Sequence, residues 1–92
     1  MGQGVQRPPA PIAVEATIDG DQAQFSWVNP QPEHGDTYRV RVETDAGVAA
    51  PEVVSEPEIS VDLRQEGETC ITVTVVRESK AESSATEGCI SE

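Results

Sequence analysis

Positive charge, aromatic rings and long apolar runs are all scarce in this sequence, and each scarcity removes a class of function. Six basic side chains stand against 17 acidic ones, for a formal net charge of -11. Such a field repels phosphate backbones and anionic lipid headgroups, so nucleic acid is not an expected partner. No stretch approaches the roughly 20 apolar residues that span a bilayer, so direct membrane insertion is not expected. Met1 to Gln6 lacks the charged and apolar regions of a secretion signal, and a signal or anchor is expected elsewhere if the protein is exported. Histidine occurs once, as His34, and cysteine twice, as Cys70 and Cys89. That set leaves a tetrahedral zinc site short of a ligand. No glycine-framed serine or calcium-loop spacing is present, and the turn carboxylates Asp19 and Asp21 read as turn formers. No catalytic group, metal or cofactor is expected.

With only Phe25, Trp27 and Tyr38 as rings, a core must be built mainly from Val, Ile, Ala and Leu. Ninety-two residues allow one such core and one domain. Residues 1–10 form a proline-rich leader suited to an extended linker, with Pro8, Pro9 and then Pro11 at its end; residues 11–92 form the domain. Apolar residues then recur every second position, the period of half-buried strands. Ile12, Val14, Ala16 and Ile18 are followed by Asp19-Gly20-Asp21 as a turn, then Ala23, Phe25 and Trp27. Asn29-Pro30-Gln31-Pro32 ends that strand because proline lacks the ladder donor. Tyr38, Val40 and Val42 alternate with Arg39, Arg41 and Glu43; Val53 and Val54 form a short edge strand between Pro51 and Pro57. Ile59, Val61 and Leu63 make one further inward face, and Ile71, Val73 and Val75 the strongest. A last strand near Ser84 to Ser91 turns Ser84, Thr86 and Gly88 inward, which is unusual enough to expect a bulge. Seven short strands with frequent turns and no amphipathic helix predict an all-β, two-sheet sandwich.

A turn between Ser79 and Lys80 places residue 70 opposite residue 89 in an antiparallel hairpin, a spacing that suits a disulfide between Cys70 and Cys89. The alternative is a pair of unlinked buried thiols. A disulfide here is expected to add about 3 kcal/mol by restricting the unfolded chain, and it fits an extracellular or cell-surface location.

The ordered set resembles a fibronectin type III domain, of the immunoglobulin-like sandwich class, across residues 8–91. Pro8, Pro9 and Pro11 resemble the proline-rich lead into the first strand. Phe25-Ser26-Trp27 with Pro30 resembles the second strand, Tyr38-Arg39-Val40 the third, and Leu63, Gly67, Ile71, Val73 and Val75 the leucine, turn glycine and alternating sixth strand. The resemblance implies a core of Phe25, Trp27, Tyr38, Val40, Leu63, Ile71, Val73 and Val75. Ile71 stands where the family has a tyrosine that ties the preceding turn, so that corner bond is expected to be missing, with the disulfide in compensation. The bias of one lysine against five arginines, with abundant Ala, Val and Glu, points to a bacterial source, and the resemblance further implies a non-catalytic module, monomeric in isolation, of a multidomain secreted or surface protein. Its roles are a spacer, a unit that recognises a host or neighbouring protein, or an accessory to a signalling complex. The tip Glu78-Ser79-Lys80-Ala81 carries no integrin-binding sequence. For recognition of a protein partner the expected face is the outer side of the third and sixth strands, where Arg39 and Arg41 project beside Thr72 and Thr74. A solvated face with cross-strand charge pairing, for example to Glu87, is the alternative.

Overall fold

The computed structural model describes residues 8–44, 47–63 and 67–91. Its strands are β1 (Ile12–Asp19), β2 (Gln22–Val28), β3 (Thr37–Thr44), β4 (Gly47–Val48), β5 (Glu52–Val54), β6 (Glu58–Asp62), β7 (Glu68–Val76) and β8 (Thr86–Ser91). They form two antiparallel sheets, one ordered β1-β2-β6 and the other β4-β3-β7-β8 with β5 also on β3. The architecture is the expected all-β sandwich, with eight strand segments among the described residues where seven were expected. The extra segment arises because one edge strand is broken. β4 meets β3 with Val48 opposite Glu43, whereas β5 places Glu52 opposite Val40, a register one residue different. Pro51 lies in the gap and has no N–H to give the ladder, so the edge slips there and resumes.

The core follows the period-two pattern. Ala23, Phe25, Trp27, Tyr38, Val40, Ile71, Val73 and Val75 are buried between the sheets, with Trp27 edge-on to Tyr38 at 5.5 Å between ring centroids. Leu63, placed in the core by the sequence, is only half-buried at the rim. It sits one residue beyond β6, beside the open side of the sandwich.

Three one-residue slips modify the simple alternation. The first is in β1, where the pairing shifts between Ile12 and Glu15 and Ala13 adopts φ 55°, a left-handed conformation that costs a residue with a Cβ roughly 1–2 kcal/mol. Ile12 is thereby turned to the outer face opposite Val28 and is exposed, correcting its assignment to the inner face. The kink also carries the start of β1 across to the other sheet. Thr86 Oγ1 donates to Pro11 O at 2.7 Å, and a Cβ on Gly88 would collide with Val14 Cγ1. Gly88 is small because β1 packs onto β8. Pro8 and Pro11 are already buried, so the chain is packed from Pro8; residues 1–7 of the leader lie outside the described residues. The second slip is the β4–β5 break.

The third slip lies ahead of β8. The ladder pairs Val73 with Thr86 but Val76 with Glu82, one residue out of step. Ser83 is therefore the buried residue and Ser84 is exposed, the reverse of the sequence expectation. Ser83 Oγ accepts the Val75 N–H at 2.9 Å and donates to Ser84 O at 2.8 Å, so the side chain satisfies the donor that the slip displaces. Just before it, Lys80 N donates to Arg77 O and Arg77 N to Ala81 O, while Lys80 has φ 80°. That is a three-residue hairpin loop closed by a left-handed residue.

Candidate functional site

The outer face of β3, β7 and β8 brings together the residues expected there. Arg39 lies opposite Thr74, Arg41 opposite Thr72, and Thr72 in turn opposite Glu87. The two arginines are not equivalent. Arg39 is clamped on both terminal nitrogens by Glu82, at 2.6 and 3.2 Å, and this bond holds its guanidinium above the ordinary value against the opposing effect of burial. Glu82 rather than Glu87 is the partner, because the slip at Ser83 brings Glu82 onto the ladder beside Val76. Arg41 is exposed and makes no ion pair among the described residues. Val53, 64% exposed, sits opposite Arg39 on β5. Among the described residues the face therefore offers one uncommitted cation, Arg41, with the exposed Val53 on the same face.

The disulfide joins Cys70 and Cys89 directly across β7 and β8, with the two Cα atoms 4.0 Å apart. Glu68 lies close to both sulfurs, but the sulfurs are consumed by the bond and leave one carboxylate, which is not a metal-binding set. The bond fits an oxidising environment. His34 is exposed on the loop between β2 and β3. The corner turn that Ile71 was expected to leave untied includes residues 64–66, which lie outside the described residues.

A buried polar cluster at the end of the sandwich was not anticipated. Arg77 is 8% exposed and pairs with Asp36, whose side chain is 5% exposed. The same Arg77 nitrogen donates to Gln31 O at 2.7 Å, and Glu33 lies 3.9 Å from the other. Asp36 Oδ2 also accepts from Asn29 Nδ2 at 2.9 Å and from the Glu33 N–H at 3.0 Å, and Asn29 Nδ2 reaches Tyr38 OH at 3.3 Å. Burial of both ions is tolerated because this many hydrogen bonds surround them. The cluster ties the proline-rich β2–β3 loop to the loop end of the β7–β8 hairpin. Gly35, at φ 86°, packs against Glu78 at the same junction. Two buried atoms, Trp27 Nε1 and Asp36 Oδ1, have no hydrogen-bond partner among the described residues. The signal was present in the alternation: residues 71, 73 and 75 point inward, so 77 does too, and an inward arginine needs a carboxylate.

On the opposite side, a cleft of about 470 Å³ separates β6 from the broken edge of the other sheet, with Val42, Ala49, Ile59, Val61 and Leu63 among its walls and Glu52 at its side.

No family model and no curated protein sequence matches the chain. Solved structures match it closely in shape. Domains d3-d4 of the rat CD45 extracellular region align with a TM-score of 0.79 at 14% identity, covering 95% of this chain and 51% of that one. The Clostridium perfringens spore cortex lytic enzyme SleM aligns at 0.69 and 19% identity, covering 92% and 28% respectively. A fibronectin type III domain of human collagen XX aligns at 0.67 and 20% identity, covering 100% and 99%. The chain thus spans about half of the first of these and little more than a quarter of the second. The fold is that of a fibronectin type III domain.

Proposed function

We propose that this chain is a non-catalytic fibronectin type III module of a longer extracellular protein, holding its neighbours apart and in line. The observation that carries this reading is where the described chain enters and leaves. Pro11 is bonded to Thr86 at the first residue of β8, whereas Ser91, its last, lies opposite Glu68 at the far end. Over the 6 residues of β8 the two points are separated by about 17 Å or more, at roughly 3.3 Å per residue. Whatever is joined at either end is held at opposite ends of a stapled body. Similar folds form part of a longer chain in rat CD45 and in SleM, and the disulfide supports an oxidising location. One lysine against five arginines, with abundant Ala, Val and Glu, supports a bacterial source.

Fluorophores introduced through unnatural amino acids at Ala10 and Ser91 test the reading. A single transfer efficiency that stays constant with urea until the cooperative unfolding transition is the expected result. A broad distribution in native buffer would refute a spacer of fixed reach.

A second reading is recognition of a protein through the outer β3–β7 face, favoured by Arg41, which has no described ion pair, on the same face as the exposed Val53. Arg41 is the anchor in this reading and Arg39 is held by Glu82. A defined partner should bind Arg41→Ala at least tenfold more weakly and Arg39→Ala almost normally; equal binding of both variants and the wild type rejects this face.

A further inference from the structure

The spacer role and the Arg41 face leave the open side of the sandwich unused. The three-stranded sheet ends at β6, while the facing sheet continues through β3 to β4 and β5, so the cleft of about 470 Å³ lies where a fourth strand would cover it. That volume falls in the range of ligand clefts, roughly 300–1,000 Å³. We propose that this cleft receives an extended peptide segment with alternating apolar and basic residues, which adds to β6 as a fourth strand.

Backbone geometry defines the docking edge. Leu63 N donates to Asp21 O and Trp27 N to Pro57 O, which sets the odd-numbered residues of β6 as the ones bonded to β2. Antiparallel ladders alternate, so the N–H and C=O groups of Ser60 and Asp62 are directed at the open edge. Both residues line the cleft. No proline interrupts β6 between Glu58 and Asp62, so the edge keeps every backbone donor needed for strand addition, the mode by which extended peptides join exposed sheet edges.

Side-chain parity defines the occupant. Ile59 and Val61 are half-buried and face the gap, so the residues beside them on an added strand must be apolar. Glu58, Ser60 and Asp62 face outward and are exposed, which places two carboxylates along the row that the alternate residues of the segment would join. Glu52 adds a third at the cleft wall, and among the described residues no lysine or arginine lines it. Like charges opposite one another are unfavourable and opposite charges favourable. A second copy of this chain would set Glu58 and Asp62 against their own kind, so the charge pattern selects a basic segment.

The probe is the blocked peptide acetyl-Lys-Val-Lys-Val-Lys-Val-Lys-amide, titrated into the isotope-labelled 92-residue chain and followed by amide NMR shifts. Saturable shifts centred on Ser60 and Asp62, with slowed exchange of those two amides, are expected. The variant Ser60→Pro removes an edge donor that β2 does not use and should weaken binding at least tenfold while the β7 amides stay unshifted. If that variant misfolds, Glu58→Lys with Asp62→Lys decides the matter, with a loss of at least tenfold expected. Three results would overturn the proposal: equal binding of a peptide with the four lysines and three valines in separate blocks, shifts confined to the outer β3–β7 face, or self-association of the free protein through β6.

Discussion

The two long sides of the sandwich are finished differently. On one, the bulge at Ala13 carries β1 over to β8, Val14 packs against Gly88, and Thr86 bonds Pro11. The same side holds the β7–β8 hairpin, stapled by Cys70–Cys89, whose loop end is locked by Arg77 and Asp36 to the β2–β3 loop at one end of the sandwich. On the other, β6 ends a three-stranded sheet and faces a broken edge strand across an open cleft with both apolar and acidic walls. Covalent, polar and close-packed devices are concentrated on the closed side. Mechanical integrity and an accessible strand edge are thereby assigned to opposite flanks of one small domain, and substitutions should separate them.

The largest effect should come from Arg77→Ala. It strands the buried Asp36 carboxylate, and such a broken pair typically costs about 3–5 kcal/mol, read as a lower midpoint in urea. The double variant Cys70→Ser, Cys89→Ser should follow at about 3 kcal/mol, corresponding to a fall of roughly 10–25 °C in melting temperature for a domain of this size. An unchanged midpoint would mean that the staple contributes nothing to the closed side. Gly88→Val overpacks the contact with Val14 and should cost about 1–3 kcal/mol, with the NMR shifts of β1 moving most. Lys80→Gly works in the opposite direction, because it relieves a left-handed conformation; a gain of about 1 kcal/mol is expected. At the bottom of the scale, Arg39→Ala breaks an exposed pair worth about 0–1 kcal/mol. The bond to Glu82 raises the pKa of Arg39, so its contribution is fully present below the ordinary arginine value and is lost only at more alkaline pH. Wild type and Arg39→Ala should therefore differ by the same small amount between pH 6 and 9.

Much of this division was legible in the residues, and the exceptions share a cause. Period two identified Ala23, Phe25 and Trp27 and the inner faces of β3 and β7, because a side chain in a strand has only two faces to choose between. The partner of Cys70 is expected from a turn between Ser79 and Lys80, and the pairing holds because the loop centred on Ser79 and the one-residue slip at Ser83 offset each other. Arg77 was legible by the same parity and was passed over because the polar tip beyond it reads as loop. Its partner was not legible, since Asp36 lies 41 positions away and only the packing of two loops brings it near. The slips at Ala13, near Pro51 and at Ser83 each invert the alternation by one residue. Two of them leave a mark in the sequence, Pro51 and the inward run of Ser84, Thr86 and Gly88 from which a bulge is expected, while the slip at Ala13 leaves none; the inversion at Ser83 is what delivers Glu82 rather than Glu87 to Arg39. The cleft is a consequence of unequal strand number in the two sheets, which no single segment encodes.

Residue-resolved amide hydrogen exchange on the unmodified chain tests the closed-and-open division most directly. The account predicts that Ile71, Val73 and Val75 exchange only through global unfolding and that Ile59 and Val61 are protected by β2, while Ser60 and Asp62 exchange close to the rate of an unstructured chain. Strong protection of Ser60 and Asp62 in the free monomer would show that the β6 edge is already covered and would contradict it.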